Sequence, residues 1–389
     1  MSMRVGVVAY ELEREPTGVG RYLAGLLGGV AELAPGWEWV LFFHGPPSPQ
    51  PLASRPGFEA RFGGAAGRAF VWEQLALPAM LRREGLDLVF SPSYSLPATG
   101  PVPGVVTVHD LSFEVLPEEF SWRQRWRRRL LSRRAVGRAA RVLVDTPRVA
   151  EELARLYRVP RERIGVVPLG VELSGIDGVL EGSGKPGEAA SAEGVAEPRI
   201  ERPYLLALGS IFERRKPGLL LEVFAELARD APQLRLVFAG ANRLRRPEDL
   251  RRRIDELGLG SRVELRGYVP DAALVPLYRG AELSLYLSSY EGFGLPPLES
   301  LACGTPPVVG PGTAVDDLWP DYPYRCADLE RGTVLAVARA ALADREGGAR
   351  LAAEGARRVG ALTWRRAAGR FLEELERAAG AAAARGAAT

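Results

Sequence analysis

Short runs of β-branched and aliphatic residues alternate with longer amphipathic stretches in both halves of the chain, and this alternation limits the possible folds more than any other feature. In the first half the runs fall at 5–10, 39–43, 88–91, 105–109, 142–145 and 165–168. In the second half they fall at 204–208, 234–239, 262–265, 283–287 and 307–309. Stretches such as 216–230 and 247–257 between them carry apolar residues at helical spacing. Strands separated by helices predict parallel, doubly wound α/β sheets. The two halves are divided by "SGIDGVLEGSGKPGEAASAEGVAEPR", 174–199, which is rich in Gly, Ala, Ser and Glu and nearly free of large apolar side chains. Such a stretch cannot build a core and reads as a flexible linker or inserted loop. The expected organisation is a domain over 1–173, a linker over 174–202 and a second domain over 203–363. A helix over 364–380, with Trp364, Phe371, Leu372 and Leu375 on its apolar side, and a disordered tail over 381–389 follow.

Two domains are what 389 residues favour, and 47% hydrophobic residues suffice for two cores. A formal net charge of +3 gives no general argument for nucleic acid. Of 51 basic residues only Lys185 and Lys216 are lysine, so Lys216 stands out. Two cysteines, Cys303 and Cys326, and two histidines, His44 and His109, are too few for a thiolate or imidazole metal centre, and fit a reducing compartment without a disulfide framework. "MSMRVGVVAYELERE" reaches acidic residues too soon for a signal peptide, and no stretch of 18 apolar residues occurs, so a cytoplasmic setting is expected.

The most informative stretch is "SSYEGFGLPPLESLACGTPPVVG", Ser288 to Gly310, with Glu291 and Glu299 separated by seven residues. It follows the run at 283–287. Pro296 and Pro297 suit a first helical turn, and Gly304 suits the helix's C-terminal cap. On this reading Glu299 lies in the first turn and Glu291 on the loop before it. Gly292 and Gly294 let the backbone approach a ligand, and a helix N-terminus favours phosphate. Amides and helix dipole would receive a phosphate while the acids bind neutral hydroxyls. The plainer alternative is a capped helix after a strand, its acids merely favourable to the dipole.

The glutamate pair, with "EGFGLPPLE" and "ACGTPPV" beside it, resembles the retaining glycosyltransferases of family 4 (GT4), which share the GT-B fold. Other segments agree in order: "TGVGRYLAGLL" from Thr17, "VVTVHDLSFEVLPEEF" from Val105, "VLVDTPRVAEELARLYRVPRERIGVVPLGVE" from Val142, "YLLALGSIFERRKP" from Tyr204, and "LTWRRAAGRFLEELER" from Leu362. The resemblance covers nearly everything except the linker and tail. It implies two Rossmann-like domains facing a central cleft, the first on the acceptor side and the second binding a nucleotide sugar, with the C-terminal helix returning to the N-terminal domain. The implied reaction moves a sugar, mannose, glucose or similar, from a nucleotide-diphosphate donor to a glycan, lipid-linked or small-molecule acceptor hydroxyl, in cell-envelope, polysaccharide or glycolipid synthesis. No cofactor and no metal are implied. Alternatives are another GT-B enzyme, such as a sugar-nucleotide epimerase, and a non-catalytic nucleotide-sugar-binding subunit.

Departures exist too. Asp145 stands where the family often has serine, and "PGTAVDDLWPDYPYRCADLE" replaces the usual glycine-rich passage after Gly310. Cations are needed where negative charge grows on the leaving diphosphate. Arg214, Arg215 and Lys216, after Gly209, are the candidates, a solvated basic loop being the alternative. The resemblance implies catalytic roles for His109, Glu291, Arg214 and Lys216. It implies donor binding by Gly18, Gly20, Gly209, Arg215, Gly292, Phe293, Gly294, Leu295 and Glu299, with Glu299 on the ribose, Glu291 on the transferred sugar and Gly18-Val19-Gly20 in a closing loop. Arg21 would begin the next helix. Finally, residues 121–141, "SWRQRWRRRLLSRRAVGRAAR", carry nine arginines, with Trp122, Trp126 and Leu130 on one helical side. Such a helix suits an anionic membrane surface at the inner face, or is simply a surface helix packed by its apolar side. No nucleic-acid partner is expected.

Overall fold

The computed structural model describes residues 2–13, 18–46, 48, 50–64, 68–173 and 200–386. Thr17 and all but the last three residues of the expected 174–202 linker lie outside them. The chain divides into two compact units, Met1–Gly170 with Leu362–Thr389, and Val171–Ala361.

The first unit is a seven-stranded parallel sheet in the order β3-β2-β1-β4-β5-β6-β7. The strands are β1 (Arg4–Val8), β2 (Glu38–Phe43), β3 (Phe58–Phe62), β4 (Leu88–Ser91), β5 (Gly104–Val108), β6 (Arg141–Val144) and β7 (Ile164–Val166). Val5 of β1 pairs with Trp39 on one side and Leu88 on the other. Strand β3, "FEARF", had no counterpart among the sequence expectations. It is an edge strand that follows a turn at Gly57 (φ +80°), and its exposed positions hold charge rather than apolar side chains. Arg4, Glu59, Arg61 and Glu84 form an ion-pair network along that edge. Charge of this kind blunts an open sheet edge and hides the strand from a hydrophobicity reading.

Helices α1 (Gly18–Leu33), α2 (Ala69–Leu75), α3 (Leu77–Leu81), α4 (Ser112–Val115), α5 (Trp122–Arg138) and α6 (Pro147–Tyr157) complete the crossovers. Their ends follow local chemistry. Ser121 and Gln124 form a reciprocal capping box at the start of α5, and Thr146 Oγ1 accepts from the Val149 amide, with Pro147 at the first position of α6.

The second unit is a five-stranded parallel sheet in the order β10-β9-β8-β11-β12. Its strands are β8 (Tyr204–Leu208), β9 (Arg235–Ala239), β10 (Val263–Arg266), β11 (Leu283–Tyr286) and β12 (Pro307–Val309). Around it lie α7 (Pro217–Asp230), α8 (Pro247–Glu256), α9 (Leu274–Gly280), α10 (Leu295–Ala302), α11 (Ala314–Leu318), α12 (Arg331–Ala343) and α13 (Arg345–Val359).

The last helix, α14 (Trp364–Gly386), belongs to the first unit and packs on α1. It runs past the expected end at 380 into the stretch read as a disordered tail, because alanine-rich sequence is good helix former. Its buried side is Ala367, Ala368, Phe371, Leu375 and Ala378, while Leu372 is only half-buried. Phe371 meets Phe90 edge-on at 4.6 Å and stacks near Trp39 at 6.3 Å. The Arg141 Nε donates to Glu374 Oε2 at 2.7 Å, a buried ion pair between β6 and α14. Two α1 glycines make room for the crossing: a Cβ at Gly25 would run into the Trp364 indole, and one at Gly29 would lie 2.6 Å from the Ala368 Cβ.

Candidate functional site

In the second sheet the strand order reverses between β8 and β11. Loops leaving the carboxyl ends of strands at such a reversal are where doubly wound sheets bind ligands. The β8 loop starts at Gly209, whose φ of +106° suits glycine and whose missing side chain leaves room for the Arg215 guanidinium. A single 3-10 turn, Glu213–Arg215, brings the chain to Lys216, which caps α7 with a left-handed φ of 48°. The β11 loop carries Ser288 to Gly294, and Gly294 (φ +84°) starts α10. The Ser289 amide donates to the Arg214 carbonyl at 2.8 Å, so the two loops are joined.

Between them sits Glu291, 7% exposed. Its Oε1 accepts from Arg215 Nε at 3.0 Å and from Ser288 Oγ at 2.9 Å, with Arg214 Nε 3.8 Å away. Burial works against its charge, but the Arg215 and Arg214 guanidiniums outweigh it and hold the carboxyl below its ordinary pKa. Arg215 also donates from Nη1 to the Ser210 carbonyl at 2.9 Å and from Nη2 to the Tyr286 hydroxyl at 2.7 Å. Its guanidinium lies 4.7 Å from the centre of the Tyr286 ring. Arg215, tied to three protein groups, thus braces the Glu291 carboxylate. Arg214 packs over Phe212 at 4.5 Å. Lys216 is exposed and makes no ion pair with Glu291 among the described residues. The structure therefore gathers two of the three expected cations.

Glu299 is the fifth residue of α10, past the first turn in which it was expected, because the helix begins at Leu295. It is 4% exposed and accepts from the Tyr278 hydroxyl of α9 at 2.9 Å, which also reaches the Pro296 carbonyl at 3.0 Å. Gly292 and Phe293 are buried, while Gly294 and Leu295 are half-buried. The Phe293 carbonyl accepts from the Ala314 amide at 2.8 Å, so this residue packs into the unit. A surface cavity of about 650 Å³ against α8 is lined by Asn242, Arg251 and Asp255 among others, and by none of these residues.

In the first unit, Gly18 and Gly20 are not in a loop but in the first turn of α1. Tyr22, Leu23, Leu26, Leu27 and Val30 repeat at helical spacing and are all buried, which draws the glycines into the helix. Arg21 lies in the same first turn. His109 follows β5. One ring nitrogen, Nδ1, is 2.8 Å from Asp145 Oδ2 after β6, and the other, Nε2, is 2.8 Å from the Pro92 carbonyl. The Pro92 carbonyl can only accept, so Nε2 donates to it, and Nδ1 shares a proton with the Asp145 carboxyl. Burial alone would depress its pKa; Asp145 outweighs burial and holds it above its ordinary value. The Asp145 carboxyl is itself lifted by burial, against the pull of His109. The Tyr22 ring meets His109 edge-on at 4.7 Å. Both ring nitrogens are thus engaged within the unit. Tyr278, Tyr286 and Ser288 are partners that sequence patterns did not single out, and Asp145 stood out only as a departure from the family's usual serine. Its position just past a strand end was the one signal of a partner role.

The backbone has the GT-B fold. It superposes with a TM-score of 0.71 on sucrose-phosphate synthase from Thermosynechococcus elongatus, at 20% identity, covering 96% of this chain and 99% of that one. A structure of Anabaena HepE in complex with UDP-glucose matches with a TM-score of 0.68 at 16% identity, covering 96% and 99%. Residues 16–174 match the model for Glycosyltransferase Family 4, and residues 194–320 match that for Glycosyl transferases group 1. The chain belongs to this family. A D-inositol 3-phosphate glycosyltransferase of Nocardia farcinica is 33% identical over 199 residues, 49% of this chain and 42% of that protein, so the matched part spans about two-fifths of the relative.

Proposed function

We propose that the chain is a retaining glycosyltransferase that moves a hexosyl group from a nucleotide-diphosphate sugar to an acceptor hydroxyl. The observation that carries this reading is the buried Glu291 clamped by Arg215 and Arg214 at the strand-order reversal of the second unit. A carboxylate kept ionised by two guanidiniums is a poor base but a strong acceptor for sugar hydroxyls. Glu291 would hold the transferred sugar, and Glu299, oriented by Tyr278, the ribose. Arg214 and the amides leading into α10 would meet the charge that grows on the departing diphosphate. His109, braced by Asp145 and the Pro92 carbonyl, lies on the first unit, whose loops would take the acceptor. The relative named for inositol 3-phosphate and the structure holding UDP-glucose suggest the first acceptor and donor to try. Two buried free cysteines, Cys303 and Cys326, suit a reducing, cytoplasmic setting.

The test is a panel of UDP-, GDP- and ADP-sugars, scored first by thermal stabilisation and then by acceptor-dependent release of nucleoside diphosphate. A ligand at about 100 times its dissociation constant adds roughly 2.7 kcal/mol. One nucleotide should stabilise the protein both free and as its sugar, with release only when acceptor is present. Tight donor binding without release, across inositol phosphates and simple glycosides, would instead fit a non-catalytic subunit.

A further inference from the structure

Helix α5 carries eight arginines and no acidic residue over Trp122–Arg138. It turns its small side chains inward: Ser132, Ala135 and Val136 are its buried residues. The tryptophans are left outside that buried set, with Trp122 73% and Trp126 62% exposed. At 100° per residue, Arg123, Leu130, Arg134 and Gly137 share the outward side with Trp126, and Trp122 lies at its edge. Leu130 is only half-buried and the two arginines are exposed. A soluble helix packed by its apolar side would bury its indoles and expose its small residues, so the arrangement is inverted.

Glu114 of α4 engages Arg129 at 2.9 Å and Arg133 at 3.6 Å, and the Arg125 Nε donates to the Phe113 carbonyl at 3.1 Å. These contacts anchor the helix from below. Among the described residues no ion pair involves Arg123, Arg127 or Arg134. Further exposed apolar side chains lie on connected segments: Val115 on α4, and Phe70, Val71 and Leu75 on α2. Gln74 holds the 96–98 segment through the Leu96 carbonyl and the Ala98 amide, and Arg138 at the end of α5 holds the Ala98 carbonyl.

We propose that this face of α5 docks on an anionic phospholipid surface, with the two indoles seated at the headgroup level and the arginines on lipid phosphates. Indoles favour that depth because the ring is apolar and its N–H is polar, and arginine meets phosphate bidentately. A polynucleotide would use the same charges. The exposed tryptophans beside a half-buried leucine favour the lipid, because duplex recognition by a helix relies on polar contacts at base edges. No helix among the described residues is long and apolar enough to cross a membrane, so the contact would be peripheral.

The experiment is sedimentation of the full chain with vesicles of pure phosphatidylcholine and with vesicles containing about 30% phosphatidylglycerol. Binding should occur on the anionic vesicles alone and should drop about tenfold or more between ~0.05 and ~0.5 M NaCl. The pair Trp122→Ala/Trp126→Ala, and separately Arg123→Gln/Arg127→Gln/Arg134→Gln, should each cut binding at least about tenfold with the melting temperature nearly unchanged, since all five side chains are exposed. Absent binding, equal binding to neutral vesicles, full binding by either variant, or displacement from anionic vesicles by equimolar duplex DNA would each overturn the proposal.

Discussion

A carboxylate wedged between two guanidiniums differs from one that meets a tyrosine hydroxyl, and the two glutamates of the α10 region present both cases. Glu291→Gln keeps the shape but removes the charge that Arg215 braces. It should leave free nucleoside diphosphate binding within about twofold while lowering sugar transfer by about two orders of magnitude. Glu299→Ala should weaken nucleoside diphosphate and nucleotide sugar alike, by about tenfold or more. Calorimetric titration of both ligands against both variants, beside turnover, checks this. If both variants match the parent in binding and rate, the stretch is a capped helix and no more. A second residue makes a pH prediction. Glu73 of α2 is buried, and burial pushes its carboxyl up to about 7 despite hydrogen bonds from Ser95 and Gln74. A folded pKa above the unfolded one means stability that is complete below the unfolded value of 4.5 and declines as pH rises through about 7. Glu73→Gln should remove that decline and gain on the order of 3 kcal/mol over the parent at pH 8, read from urea melts at pH 5 and 8. Sequence spacing could mark Glu291 and Glu299, since the glycines and prolines around them are local signals. It could not name Tyr278, Tyr286 or Asp145 as partners, because those contacts join distant strands and helices.

Elements were legible wherever burial matched periodicity. The continuous apolar runs that became β1, β2, β5 and β6 are covered on both faces, so hydrophobicity alone marked them. β3 escaped because it lies at an edge and carries charge, and the Gly18–Gly20 turn escaped because glycine suggests a loop while its apolar neighbours dictate α1. Which side of α5 faces in was equally hidden. Helical spacing groups Trp122 with Trp126 but is silent on whether tryptophans or alanines meet the protein. A matched pair of substitutions tests how α1 receives α14. A Cβ added at Gly28 would meet nothing within 4 Å, whereas one at Gly25 would strike the Trp364 ring. Gly28→Ala should raise stability by about 0.5–1 kcal/mol through helix propensity. Gly25→Ala, the same chemistry three residues away, should lower it by about 1–3 kcal/mol through overpacking. Equal effects in thermal melts would mean that α14 does not press on α1 as described.

At the scale of the whole molecule, alternation of strand and helix foretold two parallel sheets, while 174–199 lies outside the described residues. Two guanidiniums, those of Arg214 and Arg215, stand beside the loop expected to meet phosphate. Sugar transfer should therefore continue at full rate in excess EDTA. Loss of rate, restored by Mg²⁺ or Mn²⁺, would show that the arginines are not the principal partners of the leaving diphosphate.

The return of α14 to the first unit also sets a timetable for biosynthesis. Phe371 and Leu375 fill the core beside β2 and β4, and Glu374 neutralises a largely buried Arg141, so the unit begun at residue 4 lacks part of its interior until the ribosome has passed residue 375. The second unit, contiguous from Val171 to Ala361, can close before that. Synthesis would thus invert the usual order in which N-terminal domains fold first. The half-made first sheet would stand exposed through nearly the whole of translation and depend on chaperones during it. Proteolysis of ribosome-stalled chains cut after residue 361 or 389, each followed by a flexible linker long enough to clear the exit tunnel, should find the second unit protected in both and the first unit protected only in the longer.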